Sequence, residues 1–173
     1  MTLVPILETE RLILRGHSLS DFEHSASMWG DENVTRFIGG KPSTREESWR
    51  RFISFPGHWH LLGHGYWLIE EKASGAYVGD GGFGSFKRDL GDMSFDAPEQ
   101  GWALVPGMHG KGYATEAGAA MIAWAERHFG RSDFVCMISP GNTPSLRVAE
   151  KLGYREYNRT AYHGADSVLF RRP

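Results

Sequence analysis

Short apolar runs bounded by turn signals, and longer stretches with apolar positions three or four apart, mark out the elements. Leu12, Ile13 and Leu14, set between Arg11 and Arg15, read as a short strand. Ser20-Asp21-Phe22-Glu23 reads as a helix start, because Ser20 can cap and Glu23 stands three residues on, as in a capping box. Ser43-Thr44-Arg45-Glu46-Glu47 repeats the signal and opens a second helix with Trp49, Phe52 and Ile53 on one face. Residues 66–71, Tyr-Trp-Leu-Ile-Glu-Glu, read as a strand, and Lys72 to Gly75 as a turn. Tyr77, Val78, Phe83 and Phe86 fall in a second strand loosened by glycines, so the pair predicts an antiparallel hairpin. Gln100 to Val105 is a third strand, ended by Pro106-Gly107. From Ala114 to Phe129 the residues Ala117, Met121, Ile122, Ala125 and Phe129 make one apolar helical face, and Gly130 is its stop. Phe134 to Ile138 reads as a buried strand, and Thr143 to Leu152 as a helix closed by Gly153. Tyr154 to Tyr157 and Ser167 to Phe170 are the last strands. This order predicts an α/β fold with a mixed sheet.

At 173 residues, with 40% hydrophobic and 23% charged positions, the chain suits a single domain spanning 1–173 with one core. Nineteen basic and 21 acidic residues give a net charge of −2, which argues against a nucleic-acid binder. The single cysteine, Cys136, lies among Phe134, Val135, Met137 and Ile138 and reads as a small core residue. No intramolecular disulfide can form, so a reducing cytoplasm is the expected location. Met1-Thr2-Leu3-Val4-Pro5 does not read as a secretory signal. No run approaches the roughly 18 apolar residues a membrane helix needs, so no membrane partner is expected. Asn33-Val34-Thr35 and Asn158-Arg159-Thr160 match the glycosylation sequon by chance on this reading.

The chemistry concentrates between Glu99 and Glu116. There a strand ends, the backbone turns through glycines, and a helix begins. Free N–H groups and the positive end of the helix dipole then converge, and an anion such as a pyrophosphate fits. Gly110 and Gly112 let phosphate oxygens approach the main chain, and Lys111 adds charge. Local physics leaves open a glycine-rich connection with no ligand. Gly79-Asp80-Gly81-Gly82-Phe83-Gly84 spells G-x-G-x-x-G but precedes no helix, so bulges in a hairpin are preferred to a dinucleotide site. Gly110-Lys111 is followed by Gly112 rather than Ser or Thr, so ATP hydrolysis is poorly supported.

His109-Gly110-Lys111-Gly112-Tyr113-Ala114-Thr115-Glu116-Ala117 resembles the coenzyme A signature of the GNAT superfamily of N-acetyltransferases, with His109 where Gln or Arg is usual. Asn142 to Tyr154, Glu99-Gln100-Gly101-Trp102 and Glu8 to Arg15 resemble three further blocks of that superfamily, in the same order. The opening block and the Glu150-Lys151-Leu152-Gly153-Tyr154 ending look closest to the ribosomal-protein (Rim-type) branch.

The resemblance implies a mixed, mostly antiparallel central sheet flanked by helices, and acetyl transfer from acetyl-CoA to a primary amine of a protein N-terminus or small molecule. It implies direct attack in a ternary complex. Backbone groups of Ala103, Leu104 and Val105 would bond the pantetheine arm, and His109, Gly110, Lys111, Gly112, Tyr113, Ala114 and Thr115 would form the phosphate cradle. Asn142 either bonds the pantetheine or simply caps its helix, and Arg147 and Lys151, four residues apart, are candidates for the adenosine phosphates. Glu99 is the candidate base, against a plain strand-end carboxylate or ion pair. Many relatives place a tyrosine acid where this chain has Ala149, which leaves Ser145, Tyr154 or water to protonate the thiolate, or the thiolate to leave unassisted. A non-catalytic coenzyme A sensor of the same fold is the alternative. Trp59, His58, His60 and His64 in the 55–67 segment are read either as shaping acceptor choice or as a partly buried aromatic loop. His58 and His60 could share a strand face, but no partner completes a ligand set, so no metal is expected. A monomer or homodimer is expected.

Overall fold

The strands are β1 (Leu7–Glu8), β2 (Leu12–Arg15), β3 (Tyr66–Glu71), β4 (Tyr77–Gly84), β5 (Glu99–Leu104), β6 (Val135–Ile138), β7 (Arg155–Tyr162) and β8 (Ala165–Arg171). The helices are α1 (Phe22–Trp29), α2 (Glu32–Thr35), α3 (Arg45–Leu62), α4 (Tyr113–Phe129) and α5 (Thr143–Lys151). This computed structural model describes residues 4–91 and 93–173, so Met1 to Leu3 of the opening segment lie outside it. All eight strands join one sheet in the order β1-β2-β3-β4-β5-β6-β8-β7. Neighbours pair antiparallel except β5 and β6, which run parallel. The expected mixed, mostly antiparallel sheet is therefore present.

Helices cover both faces. Asp80 and Gly81 are adjacent on β4 and so point to opposite faces. Trp29 of α1 bonds Asp80, whereas a Cβ on Gly81 would lie 2.7 Å from Met121 Cε of α4. The Gly79–Gly84 run is thus a strand against which α4 packs closely, and no helix follows it. The main core lies on the α4 side, with Leu12, Leu14, Trp67, Phe83, Met121 and Phe134 fully buried. Trp59, Trp67 and Trp124 meet edge to face within it.

Several expected boundaries move. The first capping box is Ser18 with Asp21, not Ser20 with Glu23, and it opens a single 3₁₀ turn before α1. The second is Thr44 with Glu47, inside the expected signal. Trp49 and Ile53 are not on the buried face of α3; Ser48, Phe52, Phe55 and Trp59 are. The 55–67 loop is corrected too, because α3 runs on through Pro56 and Gly57 to Leu62. Burial of Phe55 and Trp59 outweighs the lost proline donor. His58 and His60 therefore sit on a helix, two residues apart, and not on one strand face. Phe86 lies beyond β4, Val105 beyond β5, and Tyr113 is already helical. The two final strands are longer than expected and form a hairpin.

Candidate active site

The parallel pair β5–β6 holds together only at its start, where Glu99 registers with Val135. Past that point the strands part, and the second half of β5 keeps one edge free. Hydrogen-bonding groups alternate between a strand's two edges. Val105 N–H donates to Val78 O on the β4 side, so Ala103 also faces β4 while Trp102 and Leu104 face the opening. This corrects the expected trio: Leu104 presents its main chain to the gap, and Ala103 and Val105 do not. The Leu104 carbonyl is already met by His109 Nε2 at 2.9 Å. His109 thus turns its ring back onto β5 instead of towards an anion, leaving the Leu104 and Trp102 amides for a guest.

A 3₁₀ turn at Pro106–Met108 carries the chain from β5 to the glycine loop. Gly110 (φ 76°) and Gly112 (φ 81°) adopt the left-handed conformation that glycine takes without strain. Gly112 is the N-cap of α4, and the first helical bond runs from Glu116 N–H to Gly112 O. The amides of Tyr113, Ala114 and Thr115 are therefore the unpaired donors of the helix start. Those of Gly110, Lys111 and Gly112 also meet no acceptor among the described residues. They converge where the dipole of a 17-residue helix is positive. Exposed Lys111 has no carboxylate partner among the described residues.

The opening segment steadies this loop. Glu116, in the first turn of α4, accepts from Thr9 Oγ1 (2.6 Å), Arg11 N–H (2.9 Å) and Arg11 Nε (2.7 Å). Arg11 Nη1 also donates to Lys111 O at 2.9 Å, and its guanidinium lies over the Tyr113 ring. Burial pushes the Glu116 carboxyl up, but Thr9 and Arg11 overcome it and hold the group below its usual value. Two blocks far apart in sequence are thus one physical unit.

Glu99 is buried at 6% exposure. Arg88 grips it with Nε at 2.8 and 3.0 Å and Nη2 at 2.7 Å. Burial raises the carboxyl pKa and Arg88 opposes that rise. The guanidinium stacks over Phe86 and Tyr162. Two residues on, a Cβ at Gly101 would come within 2.0 Å of Tyr66 Oη, so the phenol lies directly on the β5 main chain. That hydroxyl has no partner among the described residues, and burial raises its pKa. Deeper on the same face, Asp80 binds His17 Nε2 at 2.9 Å and Trp29 Nε1 at 3.2 Å. Sequence reading missed Arg88 and Tyr66, whose partners lie 11 and 35 residues away with no spacing rule to link them.

Across the gap, Asn142 caps α5 by accepting from Ser145 N–H at 3.3 Å, as its helix-cap reading expected. The Ser145 hydroxyl makes no bond among the described residues. Tyr154 is 3% exposed, and its hydroxyl donates to Gln100 Oε1 at 2.7 Å, while Gln100 Nε2 donates to Gly118 O. Tyr154 is therefore committed to the core. Cys136 is 1% exposed, and burial pushes its thiol pKa up. Arg147 shares a groove with Glu150, Tyr154, Glu156 and Arg159, and Lys151 borders Arg155 and Arg172. The residues lining these two grooves lie between 140 and 159, on β8 and at 172–173, and include none of residues 110–115.

Residues 11–155 match the acetyltransferase (GNAT) domain family. The N-acetyltransferase p20 of Bacillus licheniformis, itself uncharacterized, is 26% identical over 95% of this chain and 93% of its own. A GnaT-family acetyltransferase from Bordetella pertussis superposes with a TM-score of 0.85 at 32% identity, covering 98% of this chain and all of that one. RimL, a ribosomal L7/L12 α-N-protein acetyltransferase solved with coenzyme A, shares the fold at a TM-score of 0.78 and 15% identity, over 97% of both chains.

Proposed function

The chain belongs to the GNAT acetyltransferase family, and we propose that it carries an acetyl group from acetyl-CoA to a primary amine by direct attack within a ternary complex. The observation that carries this reading is the row of unpartnered amides from Gly110 to Thr115, beside the β5 edge freed where β6 departs. The amides would hold the pyrophosphate, with Lys111 adding charge. Trp102 and Leu104 would pair with the pantetheine arm as one more strand, and their donors lie fixed in advance for the thioester oxygen. Asn142 and Ser145 close the other side.

The acceptor amine, of a protein N-terminus or a small molecule, attacks the thioester carbon. Its nitrogen forms the new bond, the carbon–sulfur bond breaks, and the amine gives up one proton. Glu99 is the proposed acceptor of that proton, directly or through water, since burial favours its protonated form. Ser145 is the proposed hydrogen-bond donor to the leaving sulfur, because its hydroxyl is unengaged among the described residues and Tyr154 is not free; the thiolate takes its proton from water through that hydroxyl, which restores the serine.

A thermal-shift titration with acetyl-CoA, run beside ATP and NAD, tests the cofactor site. At a hundred times the dissociation constant, stabilisation of about 2.7 kcal/mol is expected with acetyl-CoA alone. No shift at millimolar acetyl-CoA sinks the cradle and the transfer reading with it.

A further inference from the structure

Along its α1–α3 face, β5 presents Glu99, Gly101 and Ala103 in succession. Tyr66 Oη covers Gly101, and Ala103 packs with Met28 and Trp29. Arg51, from α3, lies over the Trp29 ring at 3.9 Å from the centroid. Its Nη1 donates to Ser43 Oγ at 3.0 Å. No other hydrogen bond engages it among the described residues. Arg51 is partly buried, and the other partly buried arginines described each have a carboxylate. Arg15 holds Asp21 and Glu70, Arg88 holds Glu99, Arg171 holds Asp96 and Asp133, and Arg172 holds Glu126. Arginines without one, such as Arg36, Arg127, Arg147 and Arg155, are exposed.

A guanidinium has five donors and keeps its charge throughout the working pH range. Withdrawing it from water costs free energy unless an anion or further acceptors meet it. The two carboxylates whose charge acts on it are already engaged: Asp80 by His17 and Trp29, and Glu47 by Thr44 N–H. The indole and Ser43 hold the planar fork in place beforehand, which favours two-pronged recognition of a carboxylate over a point contact.

We propose that Arg51 anchors a carboxylate of the acceptor, so that the acceptor is an amine that also carries a carboxylate. The inference rests on the acetyl-transfer reading above. The carboxylate meets the Arg51 fork, and the amine lies towards the Glu99 end of the same face of β5. An amino acid with an acidic side chain, an ω-amino acid or a dipeptide carries both groups, each at a different separation.

The test measures thiol release with acetyl-CoA and a panel of α-amino acids, ω-amino acids and dipeptides, each beside its carboxamide. Acetyl-CoA binding is followed separately by calorimetry. Carboxylates are expected to exceed carboxamides at least tenfold in kcat/KM. In Arg51→Gln that preference disappears, with carboxylate turnover down about 10–100-fold, carboxamide turnover unchanged and acetyl-CoA affinity intact. Arg51→Lys recovers part of the loss. Equal rates on carboxylate and carboxamide, or a preference that survives Arg51→Gln, overturn the proposal and leave acetyl transfer standing. Acetyl-CoA binding with no panel member acetylated overturns it as well. A wild-type protein that does not bind acetyl-CoA removes the functional reading itself.

Discussion

Replacing Glu99 by Gln separates a catalytic carboxylate from a structural one. Glu99 and Arg88 are joined by three contacts of 2.7 to 3.0 Å, with side chains 7% and 20% exposed. The amide leaves Arg88 charged, buried and without its partner. Breaking a buried pair in this way costs about 3–5 kcal/mol. In a chain of 173 residues each kcal/mol lowers Tm by about 2–4 °C, so a fall on the order of 6–20 °C is expected by scanning fluorimetry. A lost general base costs a further 10²–10⁴-fold in kcat, to be read by thiol release well below the variant's Tm. Arg88→Met supplies the control. Burial already pushes the Glu99 pKa up, and Arg88 is what opposes it. Without Arg88 the acid limb of kcat/KM moves to higher pH, and activity returns once the carboxyl ionises. The stability sign follows from the same shift. A carboxyl whose pKa is higher folded than unfolded favours the folded state while protonated, so Arg88→Met loses stability as pH rises through that pKa. The reasoning is refuted if Glu99→Gln melts early yet retains kcat within about threefold, a loss too small for a general base. Glu99 is then only the counterion of Arg88.

Gly112→Ala puts a side chain on a residue at φ 81°, with only Arg11 Nη2 near the new Cβ at 3.5 Å, so about 1–2 kcal/mol of strain and at least a tenfold (~1.4 kcal/mol) weaker acetyl-CoA affinity by calorimetry are expected. An unchanged affinity removes Gly112 from the cradle. Tyr154→Phe leaves Gln100 Oε1 without its donor at a cost of about 1–3 kcal/mol, visible as a lower Tm with kcat preserved; a large drop in kcat with an unchanged Tm assigns Tyr154 to catalysis instead. Burial pushes the Asp21 carboxyl up, but Arg15 and Ser18 override it and hold it well below the usual carboxylate range. That stability is present above the ordinary Asp pKa and is lost as pH falls through the depressed one. Asp21→Asn therefore costs about 1.5–3 kcal/mol at neutral pH and flattens the acid limb of a urea-denaturation series below pH 4.

What the sequence made legible was whatever its own short-range pattern encodes. The β3–β4 hairpin needs only two short apolar runs and a turn, and α4 needs one apolar stripe and a closing glycine. The exit of α3 was not legible, because Pro56-Gly57 signals an end locally and only the burial of Phe55 and Trp59 keeps the helix going. The first cap slipped by two residues because Ser18 and Ser20 both satisfy the spacing rule, and Arg15 decides between them by holding Asp21. At the site, the glycine loop and the Glu8–Arg15 block were both visible, but not that Thr9 and Arg11 bind Glu116 more than a hundred residues on. Arg88, Tyr66 and Arg51 were invisible for the same reason. Each meets a neighbour that only the folded chain supplies.

The alternation of a β-strand explains how one six-residue segment serves several tasks. Along the α4 face of β5, Gln100 ties the strand to Tyr154 and to Gly118 O, so the strand cannot shift when a ligand enters. Along the opposite face, Glu99 and the bare Gly101 leave room for Tyr66 and, on the proposed reading, for an acceptor. The free edge at Trp102 and Leu104 belongs to neither face and is the part a cofactor chain would occupy. A single inserted residue in β5 would exchange the two faces and rotate the free edge onto β4. Such an insertion should abolish acetyl-CoA binding and destabilise the core together, whereas Gly101→Ala, which evicts only Tyr66, should leave the cofactor edge intact. Comparing acetyl-CoA affinity in those two variants tests whether the register of this strand, more than any one side chain, holds the cofactor and acceptor sides apart.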